Sequence, residues 1–167
     1  MLIRSEAPAD ILTIDTLLKA VFPTDAEAKL VMALRENGNR TLSLVACNDE
    51  GEVVGYAFFS PVTVDGVDTN WQGLAPLAVR DDYQNQGIGL TLLEEAKSVL
   101  ADFDYPVIVA VGNSEYYEKA GFTKAVDHQL TATLPDTENT FMVYEVFPES
   151  VAQYQGKVEY CNEFNAQ

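Results

Sequence analysis

The stretch LAPLAVRDDYQNQGIG, Leu74 to Gly89, restricts the fold more than any other in the chain. It starts as an apolar strand, passes Pro76, and ends in uncharged Gln84, Asn85 and Gln86 with Gly87 and Gly89 at the start of a helical pattern. Proline has no N–H to give a ladder, so a bulge or a break in pairing is expected there. From Gly87 to about Leu100, Ile88, Leu92, Leu93, Ala96, Val99 and Leu100 fall on one side and Glu94, Glu95, Lys97 and Ser98 on the other, which predicts an amphipathic helix. A strand–loop–helix unit of this kind gathers free backbone N–H groups at the helix start, where the helix dipole adds partial positive charge. Glycine there lets an anion approach the main chain closely. The alternative is an ordinary glycine-rich turn.

The remaining pattern predicts a mixed sheet. LIRSE reads as a short strand, and a helix is expected from Pro8 with Ile11, Ile14, Leu18 and Val21 at helical spacing. Thr24 and Glu27 have capping-box spacing for a second helix that turns Leu30, Val31 and Leu34 inward and stops at Asn37-Gly38. TLSLVAC and EVVGYAFFS, joined by NDEG, signal a hairpin that VTVDGV could extend, and WQGLAPLAV is a fourth strand. YPVIVAV reads as a buried strand, NSEYYEKAGF as a short helix capped at Gly121, and FMVYEVF as a last strand. A meander, then strand–helix–strand and helix–strand, predicts one mixed α/β domain over residues 1–167 rather than a doubly wound parallel sheet. The tail from Pro148 to Gln167 is open to docking on its own sheet or on a second copy, giving a homodimer.

The formal charge of −16 argues against nucleic acid or an anionic membrane as partner, and is compatible with a cationic one such as an amine. It is equally compatible with a salty cytoplasm or with solubility alone. With no secretory-type leader and no apolar run of the roughly 18 residues that span a bilayer, the expected location is cytoplasmic. Cys47 and Cys161 show no metal-knuckle spacing, so no metal is expected, and Cys47 in TLSLVAC reads as a buried free thiol. His128 is expected at a solvated surface, and Trp71 in core or rim.

Two phosphate motifs fail on QNQGIG. A Walker loop needs Lys and then Ser or Thr where Leu90 and Thr91 stand, and a dinucleotide fingerprint needs glycine where Leu92 stands. What the residues do resemble is the GNAT superfamily, the Gcn5-related N-acetyltransferases. Leu77-Ala78-Val79 and then Gln84-Asn85-Gln86-Gly87-Ile88-Gly89 match its strand and Q/R-x-x-G-x-G/A loop, and Tyr117-Glu118-Lys119-Ala120-Gly121-Phe122 matches its tyrosine before Gly-Phe. With the tail FMVYEVFPESVAQYQGKVEYCNEF, the chain resembles the YhbS-like branch along essentially its whole length.

The resemblance implies an acyl-CoA N-acyltransferase fold, a mostly antiparallel sheet splayed at strand 4 and flanked by helices. It also implies acetyl-CoA as co-substrate. Asn85, Gln86, Gly87, Ile88 and Gly89 would give backbone amides to its pyrophosphate, and Gln84 would open that loop. Leu77, Ala78 and Val79 would bond the pantetheine arm through their backbone, with an N–H near Leu77 polarising the acetyl carbonyl. Tyr117 would be the general acid that protonates the CoA thiolate, with Tyr116 beside it to pack or line the groove.

Two departures from the family stand out. Asn113 precedes Tyr117 by four residues, where relatives place a CoA-binding asparagine about seven before, and WQGLAPLAV carries no acid to serve as base. A base is then expected through a relayed water or on another element, with Asp65, Asp68 and Glu115 as unranked candidates, unless the amine arrives already neutral. The expected function is acetyl transfer to a primary amine, in a small molecule or a peptide, by direct attack. Two alternatives are a non-catalytic acetyl-CoA sensor of the same fold and a hydroxyl acceptor.

Overall fold

The computed structural model describes residues 1–134 and 137–166. Nine strands and four α-helices alternate along it: β1 Leu2–Ser5, α1 Ile11–Val21, α2 Ala26–Glu36, β2 Leu42–Cys47, β3 Val53–Val64, β4 Val67–Val79, α3 Ile88–Asp102, β5 Val107–Val111, α4 Ser114–Lys119, β6 Thr123–Lys124, β7 Leu130–Ala132, β8 Phe141–Glu145 and β9 Gly156–Glu159. The hydrogen-bonded order is β1-β2-β3-β4-β5-β8-β6, with β9 joined to β3 and β7. The pairs β1–β2, β2–β3, β3–β9, β5–β8 and β6–β8 are antiparallel, whereas β4–β5 and β7–β9 are parallel. This is the mixed sheet with helices that the alternation of patterns predicted, and it is mostly antiparallel, as the family resemblance implied.

The chain divides into two compact units. The first comprises Met1–Phe59, Pro76–Ala96 and Asn162–Gln167, and the second Ser60–Ala75 and Lys97–Cys161.

In the first unit, β2 runs from Leu42 opposite Phe59 to Cys47 opposite Val53, and all six of its residues are buried. Cys47 is a buried free thiol, as expected. Helix α1 buries Ile14, Leu17 and Leu18, and α2 buries Ala28, Leu30, Val31 and Leu34. The capping box expected at Thr24 and Glu27 forms only in half. Thr24 Oγ1 accepts the Ala26 N–H at 3.2 Å, but Oε1 of Glu27 is buried with no hydrogen-bond partner among the described residues.

One carboxylate ties this unit together. Glu6, with its side chain 1% exposed, accepts from Arg35 at 2.9 and 3.1 Å, from the Tyr56 hydroxyl at 2.6 Å and from Arg40 at 3.2 Å. Burial alone would raise its pKa, but the hydrogen bonds from Arg35 and Tyr56 overcome that and hold it below the usual glutamate range. Tyr56 is pushed well above the usual phenol range by burial and then by the bond it gives Glu6.

In the second unit, β4 pairs with β5 in parallel only from Gln72–Ile108 to Leu74–Ala110. The ladder stops two residues before Pro76, so the break in pairing expected from that proline is present. Strand β5, buried from Val107 to Ala110, continues its antiparallel ladder with β8 up to Val111–Phe141.

The tail docks on its own sheet, since β9 pairs with β3 at Thr63–Glu159 and Val64–Val158. The β3–β4 turn locks it there. Asp65 N–H donates to Lys157 O at 2.8 Å, and Asp65 Oδ1 accepts from Lys157 N–H at 2.7 Å. Gly156, at φ +124, leaves room for that carboxylate, which lies 2.1 Å from where a Cβ would stand. Trp71 is core, 1% exposed and edge-on to Tyr154 at 6.1 Å.

Because the Glu6 carboxylate has a depressed pKa, its stabilisation is present above the ordinary glutamate value of about 4.3 and is lost as pH falls through the folded value. Glu6→Gln should lower the thermal midpoint at neutral pH, with a loss of about 3 kcal/mol because Arg35 keeps a buried, unmatched charge. The variant's stability should also flatten below about pH 4. Thermal melts of both proteins across that range check this.

Candidate functional site

In the first unit, β4 ends at Val79 and the chain turns through a 3₁₀ turn, Asp81–Tyr83, into the loop Gln84–Gly87 and then α3. Gln84, Asn85, Gln86 and Gly87 are exposed, whereas Ile88 and Gly89 are buried. Asn85 lies at φ +63 and Gly87 at φ +82, two left-handed turns that fold the loop back on itself. Around Gly87 nothing lies within 4 Å of where a Cβ would be, so its approach side is open.

The first four N–H groups of a helix have no carbonyl of that helix to meet. Thr91 N–H reaches Gly87 O at 3.0 Å, but among the described residues the N–H groups of Asn85, Gln86, Gly87, Ile88 and Gly89 donate to no protein acceptor. Five consecutive main-chain donors at the positive end of a 15-residue helix are chemically able to cradle an anion with several oxygens.

Gln84 does something the sequence did not reveal. Its side-chain Nε2 donates to Val79 O at 3.0 Å and to Asp81 Oδ1 at 3.2 Å, closing the loop onto the end of the strand. Its donor hydrogens are spent inside the chain, and the Val79 carbonyl is engaged by it. Leu77 and Val79 are half-buried while Ala78 between them is 2% exposed, the alternation of a strand whose Ala78 face is covered.

All six Arg and Lys side chains of this unit are tied to carboxylates. Arg4 pairs with Asp10, Lys19 with Asp15, Lys29 with Asp25, Arg35 and Arg40 with Glu6, and Arg80 with Asp82. Arg80, nearest the loop in sequence, also lies over the Tyr83 ring at 4.9 Å. The cradle is therefore built from main-chain dipoles rather than from committed cations.

The second unit holds Tyr117. Asn113 caps α4, its Oδ1 accepting Tyr116 N–H at 3.1 Å, so the side-chain oxygen of Asn113 is already used to start the helix. The Tyr117 ring lies flat against the chain at Gly112, with Cε2 2.7 Å from where a Cβ there would stand, and any side chain at 112 would displace it. Tyr116 meets the ring edge-on at 5.3 Å and Phe122 lies at 5.2 Å. Burial, and then the neighbouring Tyr116, push the Tyr117 hydroxyl above the ordinary phenol range, so it stays protonated through neutral pH. The far end of α4 is held by Lys97, which donates to Ala120 O and lies over the Tyr144 ring at 4.3 Å.

Of the acids considered as bases, Asp65 is committed to Lys157 and Asp68 accepts Asn70 N–H at 3.1 Å; both shape the backbone. Glu115 is exposed in the first turn of α4. His128 is half-buried, with Nε2 2.9 Å from Thr123 Oγ1. Two buried acceptors escaped the sequence reading. Ser60 Oγ and Gln72 Oε1 have no partner among the described residues, and buried polar atoms of this kind commonly hold ordered water. Only the polarity of Gln72 within an apolar strand pointed to it. The described residues contain no group of three or more His, Cys, Asp or Glu able to hold a metal, and no helix long and apolar enough to cross a membrane.

Residues 39–124 match the model of the acetyltransferase (GNAT) domain. The chain is 46% identical over 165 residues to the uncharacterized N-acetyltransferase YhbS of Escherichia coli, covering 99% of each. It superposes on the crystal structure of YhbS from E. coli in complex with CoA with a TM-score of 0.95 at 45% identity, covering 98% of this chain and 91% of that one. It also superposes on a GNAT family acetyltransferase from Brucella melitensis in complex with acetyl-CoA with a TM-score of 0.82 at 31% identity, covering 98% and 97%.

If Gln84 closes the loop, Gln84→Glu removes the donor to Val79 O and sets a second carboxylate beside Asp81. One lost hydrogen bond near 1 kcal/mol corresponds to about fivefold faster amide exchange at Tyr83 and Gln84, whose N–H groups are bonded within this turn. Hydrogen exchange read by mass spectrometry checks this.

Proposed function

Because the chain belongs to the GNAT acetyltransferases, a family of acyltransferases, we propose that it moves the acetyl group of acetyl-CoA onto a primary amine by direct attack. The observation that carries this reading is the run of five unclaimed main-chain N–H donors from Asn85 to Gly89. They fit a diphosphate without help from a lysine, and both crystallised relatives are complexes with CoA or acetyl-CoA.

The roles follow from the chemistry of each group. Asn85, Gln86, Gly87, Ile88 and Gly89 hold the diphosphate, and Gln84 shapes their loop. The backbone of Leu77, Ala78 and Val79 runs beside the pantetheine arm, and an N–H near Leu77 faces the acetyl carbonyl, where negative charge grows on oxygen. Asn113 starts the helix that carries Tyr117 and has its amide N–H₂ left for the CoA arm.

The amine nitrogen attacks the carbonyl carbon, and a C–N bond forms. The C–S bond then breaks, its electron pair goes to sulfur, and Tyr117 gives the thiolate its proton. The nitrogen loses its extra proton to water, and solvent restores the Tyr117 proton. Ser60 Oγ and Gln72 Oε1 are the buried acceptors best suited to hold such a water. Cys47 is buried, and the Glu6 carboxylate beside Ser43 is already held by Arg35 and Tyr56, which favours direct attack over a covalent enzyme intermediate.

Release of free CoA thiol, followed with a panel of primary amines and alcohols, tests the reading. Thiol release that depends on an amine supports it. Acetyl-CoA binding without thiol release would make the chain a sensor, and release with alcohols alone would change the acceptor class. Tyr117→Phe should slow turnover about a hundredfold and leave acetyl-CoA affinity unchanged; equal rates would remove Tyr117 from the chemistry. Since the Tyr117 pKa is raised, its proton is available below and beyond the ordinary phenol value of about 10, so the wild-type rate should show no basic fall from this group below that pH.

The charge distribution gives a further expectation. A ligand bearing several negative charges approaches a protein of net charge −16, at a loop in a unit whose Arg and Lys side chains are all paired with carboxylates. Salt then screens repulsion more than attraction. Acetyl-CoA affinity should rise as ionic strength goes from about 0.01 M to about 1 M, over which the Debye length shrinks from about 30 to about 3 Å. Affinity that falls with salt, measured by titration calorimetry, would show that a lysine or arginine grips the diphosphate.

A further inference from the structure

We propose that Gly55 is a positioning residue for the cradle, and that the Val54–Gly55 step of β3 is the mount on which the loop and the start of α3 are held. This rests on the reading of Asn85–Gly89 as the diphosphate site.

Both ends of the loop are fastened to these two neighbouring residues. Where the chain enters, Arg80 N–H donates to Val54 O at 2.8 Å. Where it leaves, the first turns of α3 lie on Gly55. A Cβ there would stand 3.1 Å from Ile88 Cγ2, 3.2 Å from Leu92 Cδ1 and 3.2 Å from Ala46 Cβ. Gly55 itself pairs with Ala46 in the β2–β3 ladder, and Ala46 is fully buried, so the sheet beneath has little room to retreat.

Ordinary carbon contacts lie near 3.5–4.0 Å. An added methyl group therefore moves Ile88 and Leu92 outward by a few tenths of an ångström, and the amides of Gly87, Ile88 and Gly89 go with the helix start. Nothing about the backbone at Gly55 demands glycine, because its φ lies outside the left-handed region, unlike that of Gly87. The residue is small because of what rests on it.

The position also makes the usual consequence of glycine separable from this one. Glycine inside a strand weakens the fold relative to alanine, so Gly55→Ala should leave stability equal or slightly higher. Affinity should move the other way. A shift of a few tenths of an ångström in donors that must meet fixed phosphate oxygens should weaken acetyl-CoA binding about fivefold. Ile88→Ala removes the nearest atom while keeping its N–H, so Gly55→Ala/Ile88→Ala should recover most of the affinity lost in Gly55→Ala.

The experiment is titration calorimetry with acetyl-CoA on the wild type, Gly55→Ala, Ile88→Ala and the double variant, with thermal melts of each. Weaker binding by Gly55→Ala at an undiminished melting temperature, restored in the double variant, is expected. Wild-type affinity in Gly55→Ala overturns the proposal and leaves the diphosphate reading standing. So does a loss of affinity that follows a fall in stability, or one that the double variant fails to restore. If the wild type itself does not bind acetyl-CoA, the diphosphate reading fails and the proposal falls with it.

Discussion

A helix must begin somewhere, and its first four amide hydrogens then have no carbonyl of the same helix to meet. Most proteins satisfy them with a Ser, Thr, Asp or Asn cap. At the start of α3 the preceding residues are Gln86 and Gly87, and the side chain that could have reached back, Gln84, is turned to Val79 and Asp81 instead. The first unit thus leaves the amides open while fixing everything around them: the loop is tied to β4 by Gln84 and to β3 by Arg80 N–H, and the helix face is seated by Ile88, Leu92 and Leu93 in the core. Unsatisfied donors open to water cost little, so the exposed Asn85, Gln86 and Gly87 can keep their amides unpaired without losing stability.

The second unit solves a different problem, which is to keep a phenol neutral and in one place. Tyr117 sits on a helix of only six residues, too short to hold itself together. Its order comes from outside: the Asn113 cap at one end, Lys97 on the Ala120 carbonyl at the other, and the Gly112 backbone beneath the ring. Burial then removes the water that would stabilise a phenolate. The same surroundings that order the helix set the acidity of its tyrosine.

Much of this was legible in the sequence, and the exceptions have physical reasons. The helices at Ile11–Val21, Ala26–Glu36 and Ile88–Asp102 were visible because long amphipathic segments repeat their pattern over several turns. Strands β6, β7 and β9 have two to four residues each, too few for alternation to register, and long-range pairing rather than propensity holds them. VTVDGV extends the hairpin as expected, forming the end of β3, the turn and the start of β4. At the site, the glycine loop and Tyr117 could be read from motif spacing. The hydrogen bonds of Gln84 and Asp65, and the close packing on Gly55, could not, since each depends on a partner brought close only by the fold.

The lock between Asp65 and Lys157 has a bearing on how the molecule assembles. Its two residues are separated by 92 positions, and the strand it secures closes one of the longest loops in the chain. Contacts that span such distances are entropically late, because little of the closure is repaid until many neighbours are in place. Docking of β9 is therefore expected among the last events of folding. Until it happens, the β3 edge at Thr63 and Val64 is bare backbone, open to the strand of another chain. A carboxylate on a tight turn, capturing one main-chain amide, is expected to shorten the time that edge spends uncovered.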